Sequence, residues 1–261
     1  MTPSRPVPPG LLPRWVAAGL LLAGCAPALH PLPPVIETDP QALLDRAEAN
    51  ARTRQGMAAE ARVEGRVRGS RLSGRATLLV QREGRLRVDA WTVTDLWVAT
   101  LLADPAEVLW KQRGEPCLQG PSCPRNLGML IPPGWDLLST CEALLGRPPV
   151  VADGGARDLE FDRRVGAWRL QTAGHGAGQQ VWIDPEGRFR RFEEKRPGAP
   201  PLEWEAEWTG EGLAAIRLRS GDDWVRLRLR DVEWNPGTTP EDFQVECPGT
   251  VVPMSCTEDP R

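Results

Sequence analysis

From Met57 the chain settles into a two-residue rhythm. Ala59, Ala61, Val63, Gly65 and Val67 alternate with Glu60, Arg62, Glu64, Arg66 and Arg68. Successive strand side chains point to opposite faces, so this stretch predicts a strand with one apolar and one charged face. Such strands pair antiparallel, and their apolar face must be covered. Further strands are predicted at 71–81, 85–91, 97–103 and 107–111, with turns at Arg82-Glu83-Gly84 and Asp104-Pro105. The rhythm resumes at 157–162, 166–172, 179–184, 187–195, 201–209, 213–219 and 222–234. Asp184-Pro185-Glu186-Gly187 is a turn signal, and Pro240 to Gly249 reads as a turn plus a short strand.

Two stretches break the rhythm. Asp39-Pro40 has the form of an N-cap followed by Pro at the first helical position, and Leu43, Leu44, Ala47 and Ala51 recur at helical spacing. A helix over about 40–55 follows, stopped at Gly56. Residues 112–124 read as a Cys/Pro/Gly loop, and 125–146 as an apolar helical insert broken at Pro132-Pro133-Gly134. Its second half carries Trp135, Leu138, Cys141, Leu144 and Leu145 as a helical stripe, ended by Arg147-Pro148-Pro149. The two helical elements alone can cover the sheet. The expected fold is therefore mainly β (α+β): a curved antiparallel half-barrel of about 11 strands, with an N-terminal helix and a mid-chain insert on its concave face.

The N-terminus fixes the compartment. Arg5 and Arg14 precede a short apolar run, Trp15 to Gly24, which ends in Leu22-Ala23-Gly24-Cys25. A positive flank, a short apolar core and small residues before a cut make a secretory signal. The Cys after Leu-Ala-Gly resembles the lipobox of bacterial lipoproteins, which implies cleavage before Cys25 and its acylation. An uncleaved anchor is the alternative, but this run would span about 15 Å as a helix, roughly half a bilayer core. An ordinary signal peptide is another. The expected organisation is a signal peptide at 1–24, a lipidated Cys with a Pro-rich tether at 25–38, and one domain at 39–261.

The chain has a net charge of −3, and the signal's two arginines would leave with it. A mildly acidic protein gives no support to nucleic-acid binding. Cys117, Cys123, Cys141, Cys247 and Cys256 remain after Cys25. In an oxidising compartment they can pair. Local bridges 117–123 and 247–256 are the simplest arrangement, with Cys141 free, although Cys141 can replace either partner of the first pair. Zinc is disfavoured, because there is no CxxC and the histidines are His30 and His175 alone. No GxSxG, HExxH or phosphate-cradling loop is present, so no catalytic residue, metal or cofactor is assigned. His175 lies between glycines in a predicted hairpin loop.

Three stretches are similar to the LolA/LolB group of lipoprotein carriers and receptors, and to related half-barrel lipoproteins. They are 63–91 (VEGRVRGSRLSGRATLLVQREGRLRVDAW), 126–146 (NLGMLIPPGWDLLSTCEALLG) and 241–253 (EDFQVECPGTVVP). The resemblance implies a hydrophobic cavity between half-barrel and helices that takes the acyl chains of lipoproteins. LolA is soluble and LolB is lipid-anchored, so Cys25 sides this chain with LolB. Ala26, in place of Asp, favours the outer membrane, with the domain facing the periplasm. The implied partners are membrane lipid through acylated Cys25, acylated lipoproteins and a periplasmic LolA-like carrier.

For such a cavity the expected lid residues are Leu127, Met129, Leu130, Ile131, Trp135, Leu138 and Leu144. The expected sheet side is Leu78, Val80, Leu86, Val88, Leu101, Trp110, Trp168 and Trp182. The same residues can instead simply fill a core. LolB has a protruding loop tipped by an apolar residue that helps insert cargo into the membrane. Residues 91–98 occupy the corresponding place, which offers Leu96 or Trp97 for that role, although LolB's Pro-Leu-Gly is absent. The alternative is a continuous strand with Trp97 packed inward. An accessory envelope lipoprotein that carries no ligand is the competing function.

Overall fold

The structure is a computed structural model that describes residues 29–34, 36–92, 94–150, 155–174, 177–210 and 212–256. The predicted signal, Cys25 and His175 lie outside the described residues.

Helix α1 spans Pro40–Arg52, three residues shorter than its sequence pattern. Asp39 caps it, its Oδ1 accepting from the backbone N–H of Gln41 at 2.9 Å and of Ala42 at 3.1 Å. Leu43, Leu44, Ala47 and Ala51 are buried. After three linking residues the chain enters β1 (Gly56–Val67), then β2 (Ser70–Gln81), β3 (Arg85–Trp91), β4 (Trp97–Ala103), β5 (Glu107–Gln112) and β6 (Cys117–Pro121). The insert supplies α2 (Pro124–Leu127) and α3 (Leu137–Leu144). Strands β7 (Ala156–Asp162), β8 (Ala167–Gly174), β9 (Ala177–Ile183), β10 (Phe189–Lys195), β11 (Leu202–Thr209), β12 (Gly212–Ser220) and β13 (Asp223–Trp234) follow. A 3-10 turn at Pro240–Phe243 and β14 (Val251–Pro253) complete the chain.

All of these strands form one large, curved, unclosed sheet in the order β14-β6-β5-β4-β3-β2-β1-β13-β12-β11-β10-β9-β8-β7. Each neighbouring pair is antiparallel except β14 and β6. The alternation at 57–67 is the centre of this sheet: β1 pairs with β2 from Gly56↔Gln81 to Val67↔Ser70, and with β13 on its other side. Arg68 and Gly69, both at positive φ, make the two-residue turn between β1 and β2.

Among the described residues the sheet has 14 strands, not about 11. One unpredicted strand is β6, in the expected loop. Its sequence, Cys-Leu-Gln-Gly-Pro, has no apolar alternation, and it is held by β5 on one side and β14 on the other. Gly120 allows that approach, since a Cβ there would strike the Met254 carbonyl oxygen. The C-terminal strand also lies later than expected, at 251–253 instead of within 240–249.

This topology corrects the local disulfide pairing. Cys117 and Cys123 sit at opposite ends of β6, whose extended backbone holds them far beyond bridging distance. Cys247 and Cys256 flank β14 in the same way. The bridges run across the two strands, Cys117–Cys247 and Cys123–Cys256, with Cα separations of 6.0 and 6.1 Å. Cys141 is free and buried. Burial, with Asp136 and Glu142 nearby, pushes its thiol up to about 12. The thiolate is the reactive form, so Cys141 is expected to resist iodoacetamide at pH 8 in the folded protein and to react after unfolding in urea. Mass spectrometry of the alkylated peptide checks this, and rapid labelling of the native protein would count against the buried site.

Candidate functional site: an apolar cavity under the insert

The two halves of the covered sheet face are filled differently. Over β10–β12 the protein's own aromatics close the space: Trp135, Trp204, Phe189 and Phe192 are fully buried and Trp208 nearly so. The Trp204 Nε1–H donates to the Ala143 carbonyl at 3.1 Å, and that of Trp208 to the Phe189 carbonyl at 2.8 Å. Arg54 lies over the rings of Trp208 and Trp234 and donates to the Leu145 carbonyl at 2.8 Å. Burial, with Arg82 and Arg188 nearby, lowers its guanidinium to about 10.

Over β1–β4 the inward residues are small or aliphatic, and a cavity of about 240 Å³ remains. Its floor is Val63, Ala76, Leu78, Leu86, Val88, Ala90 and Leu101, extended by Leu218, Val225 and Leu227 of β12 and β13. Its roof is Leu130, Ile131, Thr140 and Leu144 of the insert. Leu72 to Arg75, Trp91, Thr92 and Val98 form the end away from the β2–β3 turn. The few polar groups are mostly occupied elsewhere. Arg75 pairs with Asp95 and, at 3.4 Å, with Glu60, while the Thr140 hydroxyl donates to the Asp136 carbonyl at 2.6 Å. The Trp91 Nε1–H is buried without a hydrogen-bond partner, which costs about 1–3 kcal/mol. Such a space can take hydrocarbon and little else. At about 240 Å³ it is slightly below the roughly 300–1,000 Å³ of usual ligand pockets. A larger hollow of about 430 Å³ lies on the opposite face of the sheet, between β3–β5 and Pro240–Val245. Arg85, Asp104 and Glu107 line it, so its chemistry does not suit an acyl chain.

Of the expected lid residues, Leu130, Ile131 and Leu144 line the cavity. Leu127 and Trp135 are buried but lie off it, and Met129 is half-buried and also lies off it. Leu138 is 54% exposed and is the one member of the predicted stripe that is not buried: Trp135, Cys141, Leu144 and Leu145 are, and α3 buries Leu137, Thr140 and Ala143 in addition. Eight residues make just over two turns, so a small rotation about the axis exchanges 137 for 138. Of the expected sheet side, Leu78, Leu86, Val88 and Leu101 line the cavity, and Val80 is core. The three expected tryptophans do not line it. Trp110 packs against the core, and Trp168 meets Phe161 edge to face at 5.1 Å on the β7 wing. Trp182 falls out of the core cluster, its Nε1–H on Asp162 at 3.0 Å and Arg191 over its ring. Ala76 and Ala90, which make the space, were not singled out by sequence reasoning. Their signal was smallness at inward positions of the alternation.

The expected loop exists, and the stretch is not a continuous strand. The Thr92 N–H donates to the Leu96 carbonyl at 2.9 Å, and Asp95 has φ 60°. Leu96 is exposed at the turn, whereas Trp97 opens β4 and is half-buried. The Trp97 Nε1–H donates to the Thr100 hydroxyl at 3.0 Å, with Lys111 over its ring.

The architecture is thus a large unclosed sheet with a helical insert roofing an apolar cavity. No protein-family model matches the sequence, and no curated protein is detectably similar to it. Solved structures are. A DUF1329 family protein from Desulfovibrio piger superposes with a TM-score of 0.52 at 11% identity, over 79% of this chain and 98% of that one. A LolA superfamily protein from Nitrosomonas europaea gives 0.51 at 10% identity, over 80% and 99%. The chain therefore has a LolA/LolB-like fold. Among the described residues, no helix is long and apolar enough to cross a membrane.

Proposed function

We propose that the protein is a lipid-anchored envelope protein that holds an acyl chain in the cavity between β1–β4 and the insert. In this reading Cys25 carries the anchor, the domain faces the periplasm from the outer membrane, and the protein is a LolB-like receptor. It receives acylated lipoproteins from a LolA-like carrier, without catalytic chemistry or a cofactor. The apolar lining of the cavity, empty of the protein's own side chains, carries the proposal. The LolA-like fold and the cross-strand disulfides of an exported chain support it.

The test uses a soluble Cys25→Ala form and the fluorescent fatty acid cis-parinaric acid. Ala90→Phe places a ring in the cavity from a half-buried floor position. Displacing two methylenes, at about 0.8 kcal/mol each, weakens probe binding about tenfold or more. The expected outcome is that loss with an unchanged fold, together with lipid in the mass spectrum of the purified protein. Equal probe affinity in both forms would sink the cavity assignment. The half filled by Trp135, Trp204 and Trp208, and the modest cavity, favour a second reading as an accessory lipoprotein that transfers nothing. Depletion separates the two: mislocalised lipoproteins support the receptor, and normal sorting supports the accessory role.

A further inference from the structure

The described part of the expected tether, from residue 29, does not run as a free stalk. The His30 N–H donates to the Arg163 carbonyl at 2.8 Å, and the Arg163 Nε–H donates back to the His30 carbonyl at 3.1 Å. The His30 ring covers Gly166, where a Cβ would come within 2.7 Å of it. Eleven residues further on, the chain is at the far end of β7. There Gln41, in the first turn of α1, accepts from the Ala156 N–H at 3.0 Å. Leu29, Leu32 and Ile36 of this segment are held outward, at 53, 65 and 71% exposure. Arg163 and Arg164 are exposed beside them.

The β7–β8 turn that holds His30 and the loop that carries Leu96 lie on opposite rims. The β2–β3, β9–β10 and β13–β1 connections meet around the end of α1. Arg82 donates to the Ala51 carbonyl, Asn50 to the Gly187 carbonyl and Asn235 to the Thr53 carbonyl. The β7–β8 turn shares that rim, because β8 begins beside the end of β9 (Trp168↔Ile183). The β3–β4 loop is at the other end of its strands, and nine strands away in sheet order. β1 alone spans about 36 Å from rim to rim. Cys25 is five residues from His30, a reach of about 17 Å at most.

We propose that the docked tether orients the domain on its membrane: the β7 edge, with Leu29, Leu32, Ile36 and the Arg163-Arg164 pair, rests on the bilayer, and the cavity end with Leu96 points away from it. The inference rests on the anchored reading above. The occupant of this edge is a bilayer, because the chain outside the described residues runs directly to an acylated Cys. Outward aliphatics enter the acyl boundary, and exposed arginines attract anionic headgroups. Freed as far as Asp39, the tether would be 14 residues long, and its reach of about 48 Å would let Leu96 meet the same bilayer. The His30–Arg163 clamp therefore decides which end meets lipid.

The test uses the full, acylated protein in vesicles of phosphatidylethanolamine and phosphatidylglycerol. Leu32→Cys and Leu96→Cys, each labelled with the fluorophore NBD, are quenched by nitroxide-bearing lipids. Position 32 is expected to be quenched several-fold more than position 96. Arg163→Ala with Gly166→Val frees the tether, and quenching at 96 then rises. Equal quenching at the two positions, or stronger quenching at 96, in the clamped protein overturns the orientation. The mass of the N-terminal peptide is read first. Absence of lipid on Cys25 overturns the anchored reading and this inference together, whereas lipid on Cys25 with quenching at 96 overturns the orientation alone.

Discussion

Removing one of the two disulfides is expected to cost about 3 kcal/mol, and removing the second from that variant about 5 kcal/mol. The asymmetry follows from topology. Cys117–Cys247 closes a loop of 130 residues and Cys123–Cys256 one of 133, so either bridge alone strongly constrains the unfolded chain. With one bridge in place, the other closes a circuit of only about 15 residues, through β6 and the segment that contains β14. The first loss is therefore partly masked by the surviving bridge. The native side of the balance adds to this, because β14 is a three-residue strand pairing with β6 over Val251↔Cys117 to Pro253↔Gln119. Such a short ladder is marginal without covalent support, and its loss uncovers the edge of β6 to other chains. Urea unfolding of Cys117→Ala/Cys247→Ala, of Cys123→Ala/Cys256→Ala and of the fourfold variant measures all three costs. Two equal, additive losses would show that the bridges act independently and would contradict the shared circuit.

The disulfides also show where sequence reasoning stops. The central sheet was legible because each of its strands repeats apolar and polar residues with period two, a pattern that needs no knowledge of neighbours. Helix α1 was legible for the same kind of reason, with a capping Asp39 and inward Leu43, Leu44, Ala47 and Ala51. β6 and β14 carry no such pattern. β6 is a strand because it pairs with β5 and β14, and β14 because it pairs with β6 across some 130 residues, and that partnership fixes the bridges. The cavity was half legible. Its aliphatic floor is the inner face of the alternation, but its existence depends on Ala76 and Ala90 leaving space and on which way α3 turns. The tryptophans misled for a physical reason. A large ring suits a cavity wall and a filled core equally well, and here Trp168 went to the β7 wing, Trp110 on β5 packs against the core, and Trp182 lies out of the core cluster.

Trp204 links the two wings, and its replacement is the second large effect expected. Its ring is fully buried, and within the sheet it lies between Phe192 of β10 and Leu218 of β12, the latter a cavity residue. Its indole N–H binds the carbonyl of Ala143, next to Leu144 in the cavity roof. Trp204→Ala removes both packing and hydrogen bond and is expected to destabilise the fold by about 3–5 kcal/mol. Trp204→Phe keeps most of the ring volume and removes the indole donor, while the Ala143 carbonyl still accepts from the Gly146 N–H at 3.1 Å, a cost of about 1 kcal/mol. The conservative variant separates stability from function. It stays folded, but α3 loses the bond that sets its height over β1–β4, so binding of cis-parinaric acid weakens while the lining residues are untouched. Urea midpoints and probe titrations of the two variants read these effects. If Trp204→Phe loses stability yet binds the probe as well as the parent, the roof is held by its own packing, and the filled wing has no part in the site.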